Sequence, residues 1–379
     1  MASTKDKRMT REEIRALSGL TEEVKSYLKS HPLPSLGSTP QEILSKRSIS
    51  TPSTLRSAIG PAPPSLHESE LHIPIPNDHD HDHEPASWLS RTLLCRSATH
   101  ASPSPGSSPL IVLFHGGGFA MGHPEGMLPY ARSLALLFRA VVLCPSYRLA
   151  PEHKFPTGVN DAYAVLRYAA AHAADWGADS AAGFIVGGNS AGANFAGVLA
   201  RRSVQEGLEP PLTGHWMSFP AFGNADAAVD GVGRLVPGVA RYAGVWGMSW
   251  VQNRDAVLID SGAAAALFEL YGQEYDSPLY NPLTGTPGFD VARLPRALVQ
   301  VAGADLLRDD GIVYAYVLQD AGVEARLLAY PGVPHTFPAF LPGLEVSGQA
   351  MVDVMVGFGW LLGVEVEEDK VREAVQRKS

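Results

Sequence analysis

From Leu110 onward the chain alternates short, nearly unbroken apolar runs with longer stretches of helical period. The runs are Leu110–Phe114, Val141–Cys144, Phe184–Gly187, Trp216–Phe219, Ala297–Ala302 and Arg326–Tyr330. Strands buried on both faces of a parallel sheet read this way, because neither face meets water. Helical patterns lie between them, among them Thr157–Ala173, Ser190–Gln205 and Asp310–Ala321. Strand, turn and helix in repetition predict an α/β fold with a mostly parallel, doubly wound sheet flanked by helices.

Two shorter strands are expected before this region, Leu71–Pro76 and Arg91–Arg96. The tract between them, Asp78-His79-Asp80-His81-Asp82-His83-Glu84, invites a metal reading. Alternating side chains on an extended loop splay to opposite sides, so the tract reads as a solvated hairpin loop in preference to a metal site. The chain up to about Pro64 looks helical and accessory. Thr39-Pro40-Gln41-Glu42 combines a cap, Pro at the first helical position and Glu three residues after the cap, which predicts a helix start. Between about Pro220 and Pro295 the rhythm breaks, and Gly/Ala-rich stretches carry the aromatics Tyr242, Trp246 and Trp250. An insertion of that length reads as a cap more readily than as a structureless loop. The expected divisions are residues 1–64, an N-terminal helical cap segment; 65–219, the first part of the core; 220–295, the cap insertion; and 296–379, the second part of the core with a charged tail from Glu365 that reads as a frayed helix or a solvated end.

The composition, 45% hydrophobic and 18% charged over 379 residues, supplies a large core. A formal net charge of −9 argues against nucleic-acid binding, and no basic stripe with interleaved aromatics is visible. The two cysteines, Cys95 and Cys144, fall in expected strands and read as core filler, with no disulfide framework. The charged first twenty residues lack the apolar centre of a signal peptide, and the most apolar late segment, Met351–Val364, is too short to span a bilayer. A soluble, cytoplasmic protein is expected; the oligomeric state is open.

The motif with the sharpest chemistry is Gly188-Asn189-Ser190-Ala191-Gly192, set between a strand and a helix. That context makes a nucleophile elbow, with the Ser190 hydroxyl at the apex of a tight turn; the bland alternative is a Gly-rich turn whose serine caps a helix. His115-Gly116-Gly117-Gly118-Phe119 follows directly on an expected strand. Successive glycines let backbone N–H groups approach a developing oxyanion, so Gly117, Gly118 and Ala191 are the candidate donors. An acid and a base should follow the serine in chain order. Asp305 lies just past Ala297–Ala302 and His335 just past Arg326–Tyr330, both at the carboxyl ends of expected parallel strands. Asp309 and Asp310 compete for the acid role but read better as helix-start residues. Phe119, Tyr242, Trp246 and Trp250 are candidate substrate contacts, or equally core of the cap.

With these residues in place, the sequence resembles the hormone-sensitive-lipase-like esterases, the group of α/β-hydrolases with HGGG and GxSAG motifs. The resemblance spans roughly Leu110 to Leu362 and rests on His115–Gly118, Tyr147-Arg148-Leu149-Ala150-Pro151-Glu152, Gly188–Gly192, Asp305-Leu306-Leu307-Arg308-Asp309 and His335. It implies an α/β-hydrolase fold with a Ser190–His335–Asp305 triad, an oxyanion hole at Gly117, Gly118 and Ala191, and a cap from the N-terminal segment and the insertion before the acid. The triad chemistry needs no metal or organic cofactor, and the cap aromatics point to a small hydrophobic ester, with a short to medium acyl chain or of a natural product, as substrate. Bacterial members often carry Asp where this chain has Asn189 and Ser146. Glu152 reads as a residue that is buried, or that stands behind the active-site loops, and supports them, not as a second acid. The same residues suit thioester or lactone cleavage, acyl transfer or another step on a natural product. Plant gibberellin receptors, which bind without catalysis, resemble the same family; His335 favours an enzyme over such a receptor.

Overall fold

The computed structural model describes residues 8–76, 87–98, 108–222, 236 and 238–376. Eight strands form one sheet in the order β1-β2-β4-β3-β5-β6-β7-β8. They are β1 (Leu66–Pro76), β2 (Ser87–Ser97), β3 (Leu110–Phe114), β4 (Val141–Pro145), β5 (Phe184–Asn189), β6 (Gly214–Ser218), β7 (Arg296–Ala302) and β8 (Ala325–Tyr330). β1 and β2 run antiparallel to each other, and β2 runs antiparallel to β4; every other pair is parallel.

The apolar runs behave as two-faced strands. Along β3, Leu110, Val112 and Phe114 enter one core, while Ile111 and Leu113 enter the other. The first core is closed by α6 (Thr157–His172), α7 (Ala191–Glu206) and α10 (Arg308–Asp320). The second is closed by α5 (Leu128–Phe138) and α12 (Glu345–Leu362). The expected strand at Leu71 begins at Leu66 instead. Its first half, Leu66-His67-Glu68-Ser69-Glu70, hides in the sequence because β1 is an edge strand whose polar positions find ion-pair partners. Glu68 pairs with Arg132 at 2.7 Å and Glu70 with Arg91 at 2.8 Å.

The N-terminal segment is helical, as its caps predict, with α1 (Arg11–Ala16), α2 (Glu22–Ser30), α3 (Pro40–Ser45) and α4 (Pro52–Ile59). At α3 the Thr39 hydroxyl accepts from the Glu42 N–H at 3.3 Å, and the Glu42 carboxylate accepts from the Thr39 N–H at 3.1 Å. Within the insertion lie α8 (Met248–Gln252) and α9 (Ser261–Tyr271). α11 (Phe337–Phe340) follows the His335 loop.

The charged tail is not a solvated end. It forms α13 (Glu368–Gln376), whose Val371 is fully buried in the second core. The Asp78–Glu84 tract lies outside the described residues. Cys95 and Cys144 are buried and unbridged, as expected. No helix among the described residues is long and apolar enough to cross a membrane.

Candidate active site

Four parallel strands deliver the motif residues to one edge of the sheet. β5 ends at Asn189 and α7 begins at Ala191, so Ser190 occupies the turn alone. Its φ of 56° and ψ of −115° lie where L-residues rarely rest. The turn is held by the Ser190 N–H, which donates to the Ser218 carbonyl at 2.8 Å, and by the Asn194 N–H, which donates to the Ser190 carbonyl at 3.0 Å. Glycine is obligatory beside it: a Cβ on Gly192 would lie 2.0 Å from the Phe114 carbonyl oxygen, and one on Gly188 would lie 2.4 Å from Gly192.

The structure brings Ser190, His335 and Asp305 together. His335 Nε2 lies 2.8 Å from Ser190 Oγ, and His335 Nδ1 lies 2.6 Å from Asp305 Oδ2. The second carboxylate oxygen of Asp305 accepts from the Leu307 N–H at 2.9 Å. All three side chains are nearly closed off, with exposures of 7% for Ser190, 2% for His335 and 1% for Asp305. The Phe219 ring stands edge to face with the His335 imidazole, its centroid 6.0 Å away. A hydroxyl bonded to an imidazole whose far nitrogen is held by a carboxylate can lose its proton as it attacks a carbonyl.

The glycine loop after β3 faces the elbow. A Cβ on Gly116 would come within 3.2 Å of the Ser190 Cβ. Gly117 and Gly118 adopt φ values of 124° and 58°. Their N–H groups, and that of Ala191 at the start of α7, donate to no acceptor among the described residues. Burial pushes the His115 imidazole down to about 4, so it is neutral near pH 7. Its Nδ1 lies 2.8 Å from the Gly116 carbonyl, which can only accept, so Nδ1 carries the proton and pins the loop. Tyr147 stacks on the His115 ring at 4.4 Å and donates its hydroxyl to the His115 carbonyl at 2.9 Å.

Asp309 and Asp310 do not reach His335. Asp309 accepts from the Ser249 N–H at 2.6 Å. Asp310 accepts from the Phe222 N–H at 2.9 Å and from the Trp246 indole at 2.7 Å. Both carboxylates therefore tether the insertion to the first turn of α10.

The candidate substrate contacts divide. Trp246 is spent on Asp310 and on packing against Phe222. Tyr242 donates to Asp320 at 2.7 Å. Asp320 ends α10, about 18 Å along the helix from Arg308 at 1.5 Å per residue. Neither aromatic is brought to Ser190, since aromatic spacing in an insertion reads the same for core and for pocket. Trp250 lies against the cluster formed by Ala221, Ala264, Leu306 and Leu307, next to the Asp305 loop. Phe119 is buried beside Gly118 and stacks on Tyr271 at 3.9 Å. Glu152 is exposed rather than buried and pairs with Arg47 at 2.7 Å. Arg47 in turn donates to the Ala120 carbonyl at 2.6 Å and to the Ala150 carbonyl. Glu152 therefore stands behind the loop through an N-terminal arginine, and it is exposed where burial was one of the two expectations.

Asn253, which carried no sequence signal, and Arg308, which the sequence showed only as part of a motif, complete the surroundings. Asn253 donates to the Asp305 carbonyl at 2.7 Å and to the Gly303 carbonyl at 3.2 Å. The buried Arg308 guanidinium donates to Ser18 Oγ at 2.6 Å and to Gln252 Oε1 at 3.0 Å. Among the described residues no group of three or more His, Cys, Asp or Glu side chains could hold a metal ion.

Comparison with known proteins agrees with this architecture. A family model described as alpha/beta hydrolase fold matches residues 111–339. An AB hydrolase superfamily protein of Schizosaccharomyces pombe is 34% identical over 261 residues, 69% of this chain and 73% of that protein. The carboxylesterase NlhH of Mycobacterium tuberculosis is 33% identical over 245 residues, 64% of this chain and 70% of that protein. Among solved structures, vibralactone cyclase superposes with a TM-score of 0.78 at 25% identity, over 96% of this chain and 99% of that one. The chain belongs to the hormone-sensitive-lipase-like family of α/β-hydrolases.

Proposed function

We propose that this carboxylic-ester hydrolase acts through Ser190 as nucleophile, His335 as general base and Asp305 as the acid that orients the imidazole. The observation that carries the reading is the continuous line of hydrogen bonds from Ser190 Oγ through His335 to Asp305, at 2.8 and 2.6 Å. His335 Nε2 takes the hydroxyl proton as Oγ attacks the ester carbonyl. Asp305 stabilises the imidazolium that forms. The N–H groups of Gly117, Gly118 and Ala191 receive the oxyanion, each such donor being worth roughly 2.7–4 kcal/mol in the transition state. As the tetrahedral species collapses, the leaving alcohol takes the proton from His335, and an acyl group stays on Ser190. Water then gives a proton to His335 and attacks the acyl carbon; the acid departs and Ser190 regains its hydrogen. Every atom comes from ester, water and chain.

The N-terminal segment and the insertion form the cap in this reading. Both donate hydrogen bonds into the loops around the site, Arg47 from the first and Asn253 from the second. The substrate is a small ester with an apolar acyl group, in keeping with the aliphatic clusters beside Gly118 and Leu306. A second reading is favoured by the likeness to vibralactone cyclase over almost the whole chain. There a hydroxyl of the substrate itself, in place of water, would attack the acyl-enzyme.

Turnover of p-nitrophenyl esters by the wild type and Ser190→Ala tests the proposal. The variant should lose several orders of magnitude in kcat while keeping its fold; near-normal turnover in Ser190→Ala removes Ser190 from the mechanism. A wild type that is labelled at Ser190 by a fluorophosphonate yet leaves these esters intact supports the second reading. Hydroxy-esters and lactones then become the substrates to assay.

A further inference from the structure

The glycine loop is roofed. A Cβ added to Gly118 would lie 2.5 Å from Leu267 Cδ2 and 2.8 Å from Cδ1, so the leucine methyl groups rest directly on the Gly118 backbone. Leu267 projects from α9, is 6% exposed and packs with Ile43, Ala120, Ala266 and Leu270. Neighbouring positions of the same helix reach the opposite side of the site, where Ala264 packs with Leu306 and Leu307 just past Asp305. The only charge on α9, Glu269, points to solvent. A ceiling of aliphatic side chains therefore extends from the oxyanion loop to the acid loop.

The sheet order decides which part of an ester lies under Leu267. β3, which delivers Gly118, flanks β5 on one side; β7 and β8, which deliver Asp305 and His335, lie on the other. A leaving alcohol takes its proton from His335 and must sit on that side. The acyl group remains bonded to Ser190 through both halves of the reaction and tolerates enclosure. Leu267 covers the Gly118 side, away from His335.

We propose that Leu267 is a specificity-determining residue, which sets the length of acyl chain this site accepts and confines it to short aliphatic acids. The proposal rests on the Ser190 reading above. Trimming Leu267 to Ala frees space of about three carbons against Gly118 and Ile43. Each methylene that finds apolar cover gains about 0.8 kcal/mol, roughly fourfold in kcat/KM.

The test is kcat/KM for p-nitrophenyl acetate, butyrate, hexanoate and octanoate, with each enzyme first titrated by a fluorophosphonate to count reactive Ser190. Leu267→Ala should raise the hexanoate-to-acetate ratio by about fifteen- to sixtyfold, two to three methylenes at fourfold each, and Leu267→Phe should lower it. Leu134→Ala removes a buried leucine from the second core, on the other face of the sheet; it should lower Tm and leave the ratio unchanged. A ratio within twofold of wild type in both Leu267 variants, with labelling intact, overturns the role of Leu267 alone. Absence of labelling in the wild type overturns the Ser190 reading, and this inference falls with it.

Discussion

The Gly332 N–H donates to the Leu17 carbonyl at 2.8 Å, which laces the N-terminal helical segment to the loop that delivers His335. The Thr21 N–H returns a bond to the Gly332 carbonyl at 3.1 Å. The same turn presses on the acid loop, since a Cβ on Gly303 would lie 2.2 Å from the Leu17 carbonyl oxygen. The loops that carry Asp305 and His335 thus share one backbone support that comes from outside the matched family region.

Gly303→Ala should dislodge that support without altering a reactive side chain. A methyl at this distance forces the backbone of Leu17 away, a strain of about 1–3 kcal/mol. The expected outcome is a fall in kcat of at least tenfold with a modest loss of Tm. Stopped-flow turnover and thermal unfolding, run side by side, check it. Wild-type kcat in a variant that is no less stable would show that the contact is incidental.

The three neighbouring carboxylates should separate by function. Asp305→Asn leaves the wrong imidazole tautomer facing Ser190 and should cost about 10⁴ in kcat. Asp309→Asn and Asp310→Asn should lower stability more than turnover, because their oxygens hold Ser249 and Trp246 of the insertion. Equal loss of kcat in all three would dissolve the distinction.

Trp246→Phe tests whether this aromatic is scaffold or substrate contact. The change keeps the ring and removes the donor to the buried Asp310, at a cost of about 1–3 kcal/mol. Tm should fall while KM for short esters stays within twofold. A selective rise in KM at unchanged Tm would return Trp246 to the substrate pocket.

Acid stability should depend on Glu125. Burial pushes its carboxyl up, but the hydrogen bond from Arg91 and the charges of Arg91 and Arg56 outweigh this, and the group sits below its ordinary value of 4.5. A carboxyl lowered by folding contributes stability in full above its unfolded value and loses it as the pH falls through the lowered one. Glu125→Gln should therefore destabilise the protein at pH 7 and flatten the stability loss below about pH 4.5. Denaturant titrations at several pH values read this directly. Parallel curves for the two proteins would mean that Glu125 does not supply the acid limb.

The parts of the site that depend on side-chain identity were legible in the sequence. Ser190, Asp305 and His335 each follow an apolar run that had to be a buried parallel strand, and their order fits the fold. The consecutive glycines Gly117 and Gly118 advertise exposed backbone. What stayed hidden works through backbone atoms or generic contacts. Leu17 and Gly332 meet through amide groups that every residue possesses, so no pattern marks them. Arg308 was visible, but its partners are ordinary polar residues, Ser18 in the turn after α1 and Gln252 at the end of α8. Tyr242 and Trp246 stood out by size, and size alone does not separate a pocket wall from a packed anchor. The first half of β1 was missed because an edge strand need not be apolar.

The bond between Ser18 and Arg308 closes a separation of 290 residues, and this gives the protein a timetable. On a ribosome adding about 5–20 residues per second, the N-terminal helices emerge and wait on the order of 15–60 s for the strands against which they dock. β7 and β8 come late in synthesis, and they bring Asp305, His335 and the docking surface together. In the proposed mechanism, a chain made only as far as the elbow and glycine loop lacks both base and acid. In that mechanism the serine waits for β7 and β8, and they in turn present the surface on which the N-terminal helices dock.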